Sequence, residues 1–178
     1  MLITVLLVCL LLFSLLLLLI FASALIGYWQ SRVPFVLSPI SDTRNALAVA
    51  GLRDGHTFFD IGSGNGRVVF VAEKFARVQA TGFELTYWTH LWARLSAKRK
   101  RSSAQFVRSN FFEVSWANVD VIYCYLFPPL MRSVEEKFLS ECKIGTVLIS
   151  RDFALPNLKA FQVLALKNSH RANLYRKI

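Results

Sequence analysis

Residues Phe58 to Arg67 read FFDIGSGNGR: an apolar run closes on Asp60, and Gly62, Gly64 and Gly66 then occupy alternate positions. Glycine enters backbone conformations that a Cβ forbids, and it lets a ligand lie directly against the main chain. A glycine turn behind an apolar strand, followed by a helix-length run from Arg67, therefore suits a small molecule held by backbone groups. The spacing narrows the choice. A dinucleotide loop reads G-x-G-x-x-G, and Arg67 stands where its third glycine belongs. No Gly-Lys-Ser/Thr follows, so a Walker phosphate loop is excluded as well.

The flanking elements have to position this turn. HTFFDIG reads as a buried strand and RVVFVAEKFA as a covered helix. VQATGFE is a second strand, followed by a helix from about Thr86 to Lys100. AQFVRSN, VDVIYCYLF and GTVLIS are further strands, rich in Val, Ile and aromatics. PLMRSVEEKFLSEC is a helix with a proline start, and FQVLALKNSHRANLYRKI reads as two strands joined by a polar turn. Ahead of the glycine turn, SDTRNALAVAGL reads as a helix capped by Ser41 or Asp42 and closed near Gly51. Strands alternating with helices imply an α/β layer on a mainly parallel sheet. ALPNLKA is too short for a full crossover helix, which predicts a reduced far edge.

The chain of 178 residues divides into an anchor (1–29), a linker (30–40) and one domain (41–178). From Leu2 to Ile26 only Thr4, Ser14 and Ser23 interrupt the apolar residues, enough length to span a bilayer with some tilt. Tyr28 and Trp29 follow where an aromatic belt is expected. A cleaved signal peptide is disfavoured, because no Lys or Arg precedes the apolar run and the run exceeds the usual length. All 21 Lys and Arg and all 11 Asp and Glu lie at or beyond Arg32, so the domain carries the net +10. Charge on that flank alone predicts a single-pass protein with a cytoplasmic domain, or a matrix domain if mitochondrial. A surface this basic attracts lipid headgroups or nucleic acid, and the anchor favours lipid. Three scattered cysteines, with no C-x-x-C pair, indicate neither a disulfide framework nor a zinc site. No metal is expected.

The strand, Asp60 and G-x-G-x-G together resemble the class I S-adenosylmethionine-dependent methyltransferases. That likeness implies a Rossmann-like, seven-stranded methyltransferase sheet with S-adenosylmethionine as cofactor. It makes Glu84, 24 residues after Asp60, the acceptor for the ribose hydroxyls, near the ~20-residue offset known for such acids. It sets Asn110 in place of a usual aspartate near the adenine amine, with Phe111 or Phe112 on the ring face. The chain is also similar to a narrower family, the membrane-anchored protein-lysine methyltransferases of the ATP-synthase c-subunit and adenine nucleotide translocase type. VPFVLSP, DIGSGNGRVV, GFEL, LFPPLM and SRDFALP carry that likeness. It implies that Asp60, Gly62, Ser63, Gly64, Gly66, Glu84, Asn110 and Phe111 bind the donor. Pro34, Phe35 and Pro39, with Phe127 and Pro128, would line the substrate entrance. Asn65 in the glycine turn, Thr86–Tyr87 after the ribose acid and NFFEV at Asn110 depart from the family pattern.

A lysine acceptor must lose its proton, and an apolar wall favours that loss. YCYLFPP, Tyr123 to Pro129, is expected to form the wall, with Tyr125 or Asp152 helping to take the proton. The expected activity is lysine methylation of a membrane protein. A lipid or quinone methyltransferase, a nucleic-acid methyltransferase and a non-catalytic adaptor are the alternatives. Nucleic-acid amine enzymes carry Asp or Asn before Pro-Pro-aromatic, where this chain has Phe127-Pro128-Pro129-Leu130. The Lys98–Arg101 cluster fits phosphates, a lipid surface, or simply a helix end.

Overall fold

The computed structural model describes residues 2–31 and 38–178, leaving aside the side chains of 23–24 and 26–31. Helix α1 runs Leu2–Ser31. Its Leu2–Ala22 stretch is long and apolar enough to cross a membrane, judged by length and composition. Helix α2 (Ile40–Val49) precedes β1 (Thr57–Ile61), α3 (Arg67–Phe75), β2 (Gln79–Phe83), α4 (Tyr87–Lys100) and β3 (Gln105–Val107). Then come β4 (Val121–Cys124), α5 (Pro128–Glu141), β5 (Val147–Arg151), β6 (Gln162–Ala165) and β7 (Arg171–Arg176).

The strands form one sheet in the order β3-β2-β1-β4-β5-β7-β6. The first five run parallel, and β7 inserts antiparallel between β5 and β6. The expected shortfall at the far edge is therefore not one of strands: all seven are present. What the short ALPNLKA segment lacks is a covering helix, and β6 is left largely exposed.

β1, β4 and β5 are buried because helices cover both faces, which explains their continuous apolar composition. Leu47, Phe58, Val69, Tyr123 and Ile149 pack in one layer. Ile61, Trp116, Ile122, Phe138 and Leu148 pack in the other. With 10 and 9 residues, α2 and α3 are shorter than the ~12–15 needed for an isolated helix, so this packing sustains them.

Helix α2 starts differently from expectation. Neither Ser41 nor Asp42 caps it; Pro39 precedes its first turn without a side-chain cap. Asp42 is committed elsewhere. Its carboxylate, 3% exposed, takes a hydrogen bond from Arg151 Nη2 at 3.3 Å, and Arg151 is itself 2% exposed. Alongside, the Tyr123 hydroxyl donates to Ser38 Oγ at 3.0 Å. Together these contacts fix the start of α2 over the carboxyl ends of β4 and β5. Removing one partner of a buried pair leaves the other charge unpaired, at a cost of about 3–5 kcal/mol. Asp42→Ala is expected to lower stability by that amount in chemical denaturation. The double change Asp42→Leu with Arg151→Met should recover most of the loss.

Candidate functional site

The turn after β1 is built from left-handed backbone. Gly62, Gly64 and Gly66 have φ of +86°, +53° and +78°, values that side-chain-bearing residues rarely adopt. The Gly62 and Ser63 amides both donate to the Phe83 carbonyl, at 3.0 and 2.9 Å, which pins the turn to the end of β2. Two of these glycines are closely packed by side chains. A Cβ at Gly66 would lie 2.5 Å from the Phe106 ring, and one at Gly62 would lie 2.9 Å from Leu126 Cδ2. Gly82, in β2, was not singled out by sequence. A Cβ there would come within 2.8 Å of Ser63 Oγ. A glycine inside a strand does signal such a close approach.

Glu84 meets this turn as expected. Its Oε2 accepts from the Gly64 amide at 2.8 Å and its Oε1 from the Thr86 amide at 2.7 Å. Each carboxylate oxygen keeps a further lone pair for a hydroxyl. Asp60 is buried at the end of β1. Burial, and then the charge of Glu84, push its carboxyl well above the usual carboxylate range. Ser63 contributes through its backbone, since its hydroxyl is buried against Gly82 without a hydrogen-bond partner among the described residues.

Asn110 sits in the turn after β3. Its carbonyl accepts the Phe112 amide at 3.1 Å, and its amide donates to Glu113 at 3.2 Å. One lone pair of that carbonyl is thus already used. Phe111 is half-buried beside Phe112, with ring centroids 4.5 Å apart, and its carbonyl accepts from buried Trp116 at 3.1 Å.

The other half of the site lies at the ends of β4 and β5. The Tyr125 and Phe153 rings stack at 6.4 Å, and Phe127 leans on Phe153 at 5.9 Å. Burial and the neighbouring Asp152 raise the Tyr125 hydroxyl above its ordinary value. For Asp152, burial acts to raise the carboxyl, but the Arg171 amide, Tyr125 and His170 outweigh it and hold the group below its usual range. Asp152 Oδ2 lies 2.8 Å from His170 Nδ1, and its Oδ1 takes the Arg171 amide at 3.0 Å. Sequence named Tyr125 and Asp152 separately; the structure joins them and adds His170. Only the antiparallel β5–β7 register, with Arg151 opposite Ala172, brings His170 there, and no local signal foretold it. Pro39, Phe127 and Pro128 are exposed on this side, while Pro34 and Phe35 lie outside the described residues.

These residues suit an adenosyl ligand. The left-handed glycines leave main chain uncovered by any Cβ, and Glu84 lies against them. The protonation of Asp60 gives a test. Its folded-state pKa lies above the unfolded value, so the stability it contributes is full at low pH and is lost as pH rises toward the folded pKa. Asp60→Asn should therefore gain on the native chain as pH rises, by at most about 1.4 kcal/mol per pH unit. Denaturation midpoints at pH 5 and pH 8 check this; a pH-independent difference would contradict it.

Residues 60–162 match the ANTKMT methyltransferase domain. The adenine nucleotide translocase lysine N-methyltransferase of Mus musculus is 30% identical over 135 residues, covering 75% of this chain and 58% of the mouse protein. The ATP-synthase c-subunit lysine N-methyltransferase of Rattus norvegicus is 32% identical over 127 residues, covering 70% and 58%. A protein-lysine N-methyltransferase of Saccharolobus islandicus is 26% identical over 150 residues, covering 81% and 93%. The chain thus spans 58% of the length of each of these two mammalian relatives. Among solved structures, an RNA methyltransferase from Salinibacter ruber in complex with S-adenosyl-L-homocysteine superposes with a TM-score of 0.75. At 22% identity, over 79% of this chain and 93% of that one, the likeness speaks to the fold. The chain belongs to the ANTKMT methyltransferase domain family, and so to the class I S-adenosylmethionine-dependent methyltransferases that its glycine turn resembles.

Proposed function

We propose that this chain transfers a methyl group from S-adenosylmethionine to a lysine of a membrane protein, and that α1 holds it at the bilayer. The observation that carries the reading is the pairing of an aromatic wall with an ionised carboxylate at the ends of β4 and β5. The mouse and rat relatives, named for lysine methylation of the adenine nucleotide translocase and of the ATP-synthase c-subunit, support it. Tethering raises the local concentration of a membrane-embedded acceptor without any further contact.

When bound, the cofactor supplies an electrophilic sulfonium methyl. Glu84, held by the Gly64 amide, would take the ribose hydroxyls, exposed Gly62 would face the adenosyl group, and Asn110 and Phe111 would receive the base. Asp60 and Ser63 shape the turn beneath it, and Gly66 starts α3 behind it. On the acceptor side, Asp152 attracts the lysine as its ammonium form. Tyr125, Phe127 and Phe153 then surround the side chain with rings that disfavour the charge. The proton leaves toward the Asp152 carboxylate, which His170, half-exposed at the rim, holds in place. The freed lone pair is oriented for in-line attack by the same wall.

Tritiated-methyl transfer into membranes lacking the enzyme is the test, with label recovered in protein lysine as the expected result. Label in extractable lipid or nucleic acid alone would overturn the assignment. Asp152→Asn is expected to lower turnover by about 100-fold or more, the usual contribution of a positioned proton acceptor. Donor affinity should stay intact in that variant. Glu84→Ala should instead weaken donor binding by about 1.5–3 kcal/mol, through loss of charge-assisted hydrogen bonds; calorimetry separates the two.

A further inference from the structure

Helix α4 turns an unusual face to solvent. At about 100° per residue, His90, Ala93 and Ala97 mark its buried side, and Trp88, Trp92, Leu95 and Arg99 share a sector of about 60° directly opposite. A surface helix ordinarily shows polar residues there. Trp92 is instead 59% exposed, Leu95 49% and Trp88 38%. Exposed Lys98 lies to one side of the stripe with Arg94 beyond it, Arg99 ends it, and the helix contains no acidic residue. Lys100 does not join them, since its ammonium lies 5.0 Å over the Phe70 ring.

Helix α1, which carries the apolar N-terminal stretch, packs beside α4. Indole has an apolar body and one N–H donor, and it concentrates where hydrocarbon meets headgroups. Arginine and lysine reach from such a level to lipid phosphates while their stems stay apolar. We propose that the Trp88–Trp92–Leu95 face of α4 lies in the headgroup layer of an anionic bilayer, with Lys98 and Arg99 on lipid phosphates. This rests on the reading of α1 as a membrane anchor. α4 then fixes how the domain leans on the membrane.

The full chain, reconstituted in vesicles with brominated acyl chains, tests this through tryptophan quenching. It has four tryptophans, and Trp116 is fully buried and serves as an unquenched reference. Trp29→Phe removes the reporter at the end of α1. Bromolipid quenching of that variant should persist, grow with added phosphatidylglycerol, and be lost when Trp88→Phe and Trp92→Phe are added. Lys98→Glu with Arg99→Glu should abolish its dependence on phosphatidylglycerol. If the Trp29→Phe chain is unquenched while the Trp88→Phe/Trp92→Phe chain, retaining Trp29, is quenched, α1 enters the bilayer without α4 and the inference falls alone. If neither is quenched, the anchor reading falls with it. The outward changes spare the core, so folding is preserved.

Discussion

Crowding of main chain at the junction of β1 and α3 is the constraint on which the site depends. Three backbone positions bend into the left-handed region within five residues, and two amides there share the Phe83 carbonyl. The turn lies so close to β2 that Gly82 must also lack a side chain. Left-handed conformations at residues with a Cβ cost of order 1–3 kcal/mol each, so a turn of this shape is open to little besides glycine. What results is a tight turn with Gly62 exposed at its start and the Glu84 carboxylate bonded to the buried Gly64 amide. The rest of the sheet holds that arrangement rigid, since β1, β2 and β4 are hydrogen-bonded in register on either side.

Charge is distributed unevenly around that turn. Burial, and then the charge of nearby Glu84, push the Asp60 carboxyl upward. A cationic ligand arriving there would offset the smaller of these two causes, the repulsion from Glu84. Across the site the arrangement is reversed: Asp152 is kept ionised by an amide, a tyrosine and a histidine, beside three aromatic rings. Environment thus shifts the Asp60 and Asp152 carboxyls in opposite directions. Arg151 links α2 to the wall, pairing with Asp42 while its guanidinium lies 5.4 Å from the Tyr125 ring.

Much of the fold was legible in sequence because it is local. The apolar runs, the glycine spacing and the proline start of α5 each express short-range physics, while Glu84 was assigned through the family resemblance. β3 came out shorter than AQFVRSN suggested, because Asn110 turns its side chain back onto the Phe112 amide. The contacts that sequence did not reveal join distant segments: Asp42 with Arg151, Ser38 with Tyr123, Asp152 with His170. No periodicity encodes them. The capping assignment failed for the same reason, since a long-range partner outcompeted the local role of Asp42. Helix α4 illustrates the opposite case, in which residue spacing held the information but only burial showed which face was unpartnered.

The central claim is that the left-handed glycine turn, with Glu84 beside it, receives an adenosyl ligand. Calorimetric titration of S-adenosylhomocysteine into the full chain and into Gly64→Ala tests it most directly. One site per chain is expected, with binding lost in the variant while its circular dichroism stays native. Equal affinity in both chains, or no binding to either, would contradict the account.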